Sequence, residues 1–347
     1  MNQDNKNSTL SADEIALYDR QIRLWGMAAQ ARMRHAKVLL INLGSIGTEI
    51  TKNIVLSGIG SLTILDDHEV EENNLGTQFF LDSESVGKLR LDVTQARIKD
   101  LNPRVKLEFD TANFKNKDEK YFKQFDLVIG TELTTNEIFY INSITRNFNI
   151  PLYVCGSNGL FAYIFVDLIK FESVDEKLKG TRPTEVGKSS NNKEIVDVVM
   201  YTDEDDDKKI YEKIKTVHNY KMFRDVLATA TLKGKLNRRQ LKRISSAVPL
   251  TFAALNIAKD TCEISLSQLQ ETLEKATDQL GVPIENVNKD YIQQFSNQLG
   301  VEFAPVAAVI GGAVSQDLIN ILGKRTSPIN NFIIFDGTTL DMPIFEF

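Results

Sequence analysis

Residues 37–67 constrain this chain more than any other stretch. KVLLINL (37–43) is an apolar run of strand length, GSIGTEITKNIVLSG (44–58) reads as a turn and helix ending at Gly58, and SLTILDD (61–67) is a second apolar run. Strand, glycine turn, helix and strand in that order predict the opening βαβ unit of a doubly wound α/β fold.

The rhythm continues. RVKLEFD (104–110), FDLVIGTEL (125–133) and PLYVCGS (151–157) read as strands, separated by helical segments near 86–100 and 136–148. This alternation calls for a mostly parallel sheet with helices on both faces. A hairpin is expected over 152–168, turning at Asn158-Gly159. Upstream, apolar Ile15, Tyr18, Ile22 and Trp25 lie at helical spacing, with Ser11 and Glu14 forming a capping box.

From about 174 to 247 charge runs replace the strand rhythm, including DEDDD (203–207) and the basic KLNRRQLKR (235–243). This predicts a partly helical, partly mobile insert; a nuclear-import signal in the basic run is a weaker reading, since such clusters are common on surfaces. Further on, Ser267 and Gln270 offer a capping box for a helix with Leu269, Leu273, Ala276 and Leu280 on one face. FAPVAAVIGGAVSQDLINILG (303–323) reads as a helix buried on most sides, and NNFIIFDGTT (330–339) as the final strand. The expected organisation is a flexible tail (1–11), the first part of the main domain (12–173), an insert that is charged and then helical (174–300), and a helix and strand completing the domain (301–347).

With 42% hydrophobic and 25% charged residues the 347-residue chain can bury a substantial core. A net charge of −6 argues against nucleic acid as the main partner. The N-terminus lacks the apolar core of a signal peptide, and no run approaches bilayer-spanning length, so neither secretion nor a membrane partner is expected and the cytoplasm or nucleus is. Cys155 and Cys262 show no CxxC pairing and read as small core hydrophobes. His35, His68 and His218 show no ligand spacing, so no metal site is expected.

A dinucleotide fingerprint needs three glycines, for the tight turn, for phosphate approach and for helix–strand packing. The corresponding stretch here is N-L-G-S-I-G: Asn42 takes the first place, Gly44 and Gly47 remain, and Asp66 ends the second strand where an acidic residue could take ribose hydroxyls. Alone, this allows a Rossmann-like NAD-dependent dehydrogenase with a damaged loop, or a strand-helix turn with no ligand.

Other blocks narrow the choice. YDRQIRLWG (18–26), EVEENNLGTQFF (69–80), SVGKLRLDV (85–93), VIGGAVSQDLI (309–319) and NNFIIFDG (330–337), in this order, resemble the ubiquitin-like-protein activating enzymes and their bacterial MoeB/ThiF relatives. The resemblance covers roughly 13–170 and 301–340. It implies an adenylation-type domain that works in pairs, the working copy using MgATP to adenylate the C-terminal glycine of a small β-grasp protein.

This chain departs from the working pattern. Besides Asn42, NNLGTQF keeps Asn74 and Gln78 but puts Thr77 at the arginine position, the lysine position falls on Arg90, and the metal-linked aspartate position falls on Leu133, beside Glu132. Phosphoryl chemistry relies on positioned charge and metal, so these losses imply an inactive copy with no cofactor of its own. The resemblance leaves one chemical role, in which Arg20 of the Y-D-R-Q motif would reach in trans to ATP on a catalytic partner. Spacing alone makes Arg20 a surface arginine on an amphipathic helix; Arg23, nearby, reads as structural.

Within the family, a chain this short with an insert confined to 174–300 is similar to the smaller, non-catalytic subunits of SUMO-activating heterodimers. The implied partners are the larger catalytic subunit, which binds MgATP, and, through the complex, SUMO and its conjugating enzyme; the implied location is the nucleus. The inactive subunit of another such enzyme, that for NEDD8, is the nearer alternative, and its chain is longer.

Overall fold

The computed structural model describes residues 10–203, 209–257, 264–324 and 326–347. The N-terminal apolar spacing gives three short helices where one was expected: α1 (Ala12–Leu17), α2 (Asp19–Trp25) and α3 (Met27–Met33). The expected box is present, with Glu14 N–H donating to Ser11 Oγ at 3.2 Å and Ser11 N–H to the Glu14 carboxylate at 2.8 Å. The chain bends at Tyr18 and at Gly26, whose φ of 86° favours glycine. Only Tyr18 of the expected apolar face is buried, and α2 buries none of its residues. Most of the expected tail, residues 1–9, lies outside the described residues; Leu10 is buried and Ser11 caps α1.

β1 (Lys37–Ile41), α4 (Ser45–Leu56) and β2 (Ser61–Leu65) form the expected unit. β1 is flanked by strands on both edges and helices on both faces, which is why KVLLI is almost continuously apolar. There follow α5 (Arg90–Leu101), β3 (Lys106–Asp110), the short α6 (Glu119–Phe122), β4 (Leu127–Thr131), α7 (Thr135–Asn147), β5 (Leu152–Asn158) and β6 (Phe161–Asp167). Strands β3-β2-β1-β4-β5 are parallel neighbours, and β6 returns antiparallel, Asn158 facing Phe161 across the expected turn. Strand order reverses between β1 and β4, the switch point at which folds of this type bind ligands.

The described residues in the first half of the charged segment are sheet, which was not expected. β7 (Lys170–Leu178), β8 (Gly187–Lys188), β9 (Lys193–Thr202) and β10 (Ile210–Asn219) form a separate antiparallel sheet in the order β7-β10-β9-β8. Its charges alternate with apolar residues and pair across strands, as Lys215 Nζ does with Glu172 at 2.8 Å, so a high charge density concealed a strand pattern. The boundary expected at 173/174 falls inside β7. Of the DEDDD run only Asp203 belongs to the described residues.

Helices follow: α8 (Phe223–Thr229), the short α9 (Arg238–Leu241) within the basic run, α10 (Ala247–Ile257), α11 (Leu266–Leu280), α12 (Lys289–Ser296) and α13 (Ala304–Leu322). α11 is capped by Ser265 with Gln268, two residues before the expected Ser267 and Gln270, while the expected apolar face is buried. α7, α8, α10, α11 and α12 cover one face of the main sheet, so the helical part of the insert belongs to the core: Phe223, Phe252, Leu273 and Phe295 join Leu39, Val128 and Phe165 in one cluster. α4 and α13 cover the other face through Ile46, Ile50, Ile54, Val306, Ile310, Val314 and Leu318. Each such aliphatic contributes about 1.5–3 kcal/mol on burial.

Contrary to expectation, α13 is long and apolar enough to cross a membrane, with 19 residues. Here its apolar residues pack on α4, β5 and β6. β11 (Phe332–Asp336) adds antiparallel to β6, and a further strand, β12 (Ile344–Phe345), pairs beyond it, so the strand expected to be final is the penultimate one.

Candidate functional site

The loops after β1 and β4 meet at the switch point. Asn42 adopts φ 68°, a left-handed conformation that asparagine tolerates better than most residues, so the backbone requirement of the missing glycine is still met. Its side chain donates to Thr131 O at 2.9 Å and its own carbonyl accepts from Thr131 Oγ1 at 2.8 Å. Gly47 is needed for packing, since a Cβ there would stand 2.5 Å from Asn42 O.

Asp66, the candidate ribose ligand, is fully engaged. Oδ2 accepts from Leu43 N–H at 2.7 Å and Arg90 Nη1 at 2.8 Å, and Oδ1 from His68 N–H at 2.8 Å and Nδ1 at 2.9 Å. Burial favours the neutral acid, but the His68 hydrogen bonds, the Arg90 charge and the Leu43 N–H outweigh it and hold Asp66 below the usual carboxylate range. Arg90, at the lysine position, is thus spent on Asp66. Asp66, Asp67 and His68 bring three ligand-type atoms within 4.8 Å of one another, but both Asp66 oxygens are already occupied.

The N-terminus of α4, where a phosphate would sit, faces a residue that sequence reasoning passed over. Glu302 Oε1 accepts from Ser45 N–H at 2.7 Å, and Oε2 accepts from Thr77 Oγ1 at 2.8 Å, Gln78 Nε2 at 3.1 Å and Asn74 Nδ2 at 3.4 Å. Asn74, Thr77 and Gln78, expected as a depleted phosphate motif, therefore converge on an internal carboxylate. No local pattern marked Glu302, which lies 257 residues from Ser45 in sequence.

Behind it, Glu132 adopts φ 54° and takes two hydrogen bonds from Ser157, N–H at 3.2 Å and Oγ at 3.0 Å. Part of the residue reaches the surface, but its carboxyl lies deep; burial and the neighbouring Glu302 charge push its pKa up to about 8. Leu133, at the metal-linked position, is buried in the apolar core. With one carboxylate in the phosphate position, a neutral acid behind it and leucine where a metal ligand belongs, these residues do not fit MgATP.

Arg20 lies elsewhere. It is exposed on α2, with no hydrogen bond or ion pair among the described residues, whereas Arg23 pairs with Asp19 at 3.0 Å. Its neighbours tie it to the C-terminal end of α4: Gln21 Nε2 donates to Leu56 O at 3.3 Å, and Asn102 Nδ2 bridges Tyr18 Oη at 2.8 Å and Val55 O at 2.9 Å. The twelve residues of α4 span about 18 Å, beyond the reach of an arginine side chain back to the phosphate loop.

Cys155 is fully buried, and burial and the nearby Glu132 raise its thiol well above the ordinary range; Cys262 lies outside the described residues. His218 is buried beside Ser173 Oγ at 2.9 Å, and His35 is exposed.

A profile described as the ThiF family matches residues 18–347, including the insert. The chain belongs to the ThiF family. Among ThiF-family relatives it is 60% identical over 346 residues to DNA damage tolerance protein RHC31 of Saccharomyces cerevisiae, covering 99% of this chain and 100% of that one. It is 34% identical to DNA damage tolerance protein rad31 of Schizosaccharomyces pombe, covering 98% and 99% of the two chains. It is 32% identical to SUMO-activating enzyme subunit 1 of Homo sapiens, covering 94% and 93%. Crystal structures of PaaA (TM-score 0.56, 16% identity, 99% of this chain and 77% of that one) and of MccB from E. coli with succinimide (0.53, 14%, 95% and 71%) share the fold. None of these names is that of a dehydrogenase.

Proposed function

We propose that this ThiF-family chain is the smaller, non-catalytic subunit of a heterodimeric SUMO-activating enzyme of the nucleus. The larger subunit holds MgATP, joins the SUMO C-terminal glycine to AMP with release of pyrophosphate, and passes the glycine to its own cysteine as a thioester with release of AMP before the conjugating enzyme takes it. This chain supplies Arg20, whose permanent charge and fork of donors suit phosphate oxygens across the subunit boundary.

The placement of Arg20 carries the reading. It is exposed and unpartnered among the described residues, anchored at the far end of α4 from a loop already filled by Glu302. A cation so placed serves a phosphate that this chain does not hold. On the same segment Leu17 is 58% and Leu24 67% exposed, apolar surface of the kind a partner covers.

Pyrophosphate exchange into ATP tests the reading. The chain alone is expected to show none, and exchange is expected on adding the larger subunit and SUMO; exchange by the chain alone would refute it. Micromolar binding of NAD would restore the dehydrogenase reading instead.

A further inference from the structure

We propose that the degenerate phosphate loop is a working oxyanion cradle whose occupant is the chain's own Glu302 carboxylate, and that removing this side chain opens the cradle to a small free oxyanion. The inference rests on contacts within this chain and is independent of which modifier the enzyme activates.

Four donors from two segments converge on one carboxylate: Ser45 N–H at the first turn of α4, and Thr77 Oγ1, Gln78 Nε2 and Asn74 Nδ2 from residues 74–78. Gln78 and Asn74 are buried, and Gln78 Nε2 also lies 3.5 Å from Oε1. A first-turn N–H has no acceptor within its own helix, and the positive end of the helix dipole favours an anion there. The site thus has the donors of a phosphate loop. The buried hydroxyl of Ser45 has no hydrogen-bond partner among the described residues, so the carboxylate does not use every donor of the cradle.

Glu302 is delivered by a strap, residues 298–303, fastened to the β5–β6 turn. Gly159 N–H donates to Val301 O at 2.7 Å, Leu160 N–H to Gln298 Oε1 at 2.7 Å, and Gly300 N–H to Asn158 Oδ1 at 2.9 Å. Gly44 completes the fit, since a Cβ there would come within 2.8 Å of Glu302 Oε1. The strap enters α13, so the anchor of the carboxylate is continuous with a core helix and not with a loose loop.

The test uses the full-length chain and its Glu302→Ala variant, with thermal unfolding followed against acetate, and separately inorganic phosphate, at ionic strength matched with chloride. In the variant, either oxyanion is expected to raise the midpoint saturably, with an apparent affinity at least about tenfold tighter than in the wild type; acetate reports the planar carboxylate fit and phosphate the tetrahedral one. Thr77→Val added to Glu302→Ala should abolish the response. Equal responses of variant and wild type to both oxyanions, or none in either, would overturn the proposal. Should Glu302→Ala not fold, amide hydrogen exchange of Ser45 in Glu302→Gln decides: exchange about tenfold faster than in the wild type is expected, because its one acceptor has lost its charge, and unchanged exchange would overturn the proposal.

Discussion

The hydroxyl of Tyr18 accepts a hydrogen bond from Asn102 Nδ2 at 2.8 Å, and the same amide donates to Val55 O at 2.9 Å. One buried side chain thus joins the start of the Y-D-R-Q motif to the end of α4. Tyr18→Phe removes one hydrogen bond and keeps the ring, so the unfolding free energy should fall by about 1 kcal/mol. In the reconstituted enzyme adenylation should slow by less than on loss of Arg20 itself, because Tyr18 only positions it. Denaturant unfolding and pyrophosphate exchange read the two effects separately.

Arg90 and Asp66 form a buried ion pair at 2.8 Å, and Arg90→Met leaves Asp66 with its three other donors. The expected cost at neutral pH is roughly 3 kcal/mol, near the lower end for breaking a buried pair. Because the folded state holds Asp66 below its ordinary 3.8, this stabilisation is present above that pH and lost as pH falls. The wild type should therefore lose more stability than the variant between about pH 4 and pH 2, read from unfolding midpoints across that range.

Glu132 has the opposite sign. Its pKa is raised from 4.5 to about 8, so the folded state holds a proton that the unfolded chain has released, and stability declines as pH rises through that window. Glu132→Gln should be close to neutral near pH 5 and stabilising by about 4 kcal/mol near pH 9, where the wild type carries a buried charge facing Glu302. Matched denaturation curves at the two pH values check it; a benefit that does not grow with pH would contradict the placement of this carboxyl.

Much of this architecture was legible because it is local. KVLLINLGSIG announces strand, turn and helix within a dozen residues, and Asn158-Gly159 marks a hairpin by itself. The departures Asn42, Thr77 and Leu133 could also be placed from sequence. Glu302 could not, since its partners lie in distant segments and its only neighbour of note is the start of an apolar helix. The second sheet was hidden for another reason: β7 and β9 have almost no buried residues, and the buried face of β10 carries Glu212, Thr216 and His218 beside Ile214, so polar residues stand where a core strand would show aliphatics. The N-terminal helix broke at Tyr18 and Gly26 because much of its apolar stripe faces away from this chain's core.

The most direct measurement is the adenylation rate of the reconstituted heterodimer carrying Arg20→Ala. Arg20 is exposed and makes no side-chain hydrogen bond or ion pair among the described residues, so the variant should fold and assemble as the wild type does. The expected result is normal co-purification with adenylation slowed roughly a hundredfold or more, partly recovered by Arg20→Lys, which keeps the charge and loses the fork. An unchanged rate in an intact heterodimer would contradict the central claim that this chain reaches across to its partner's nucleotide.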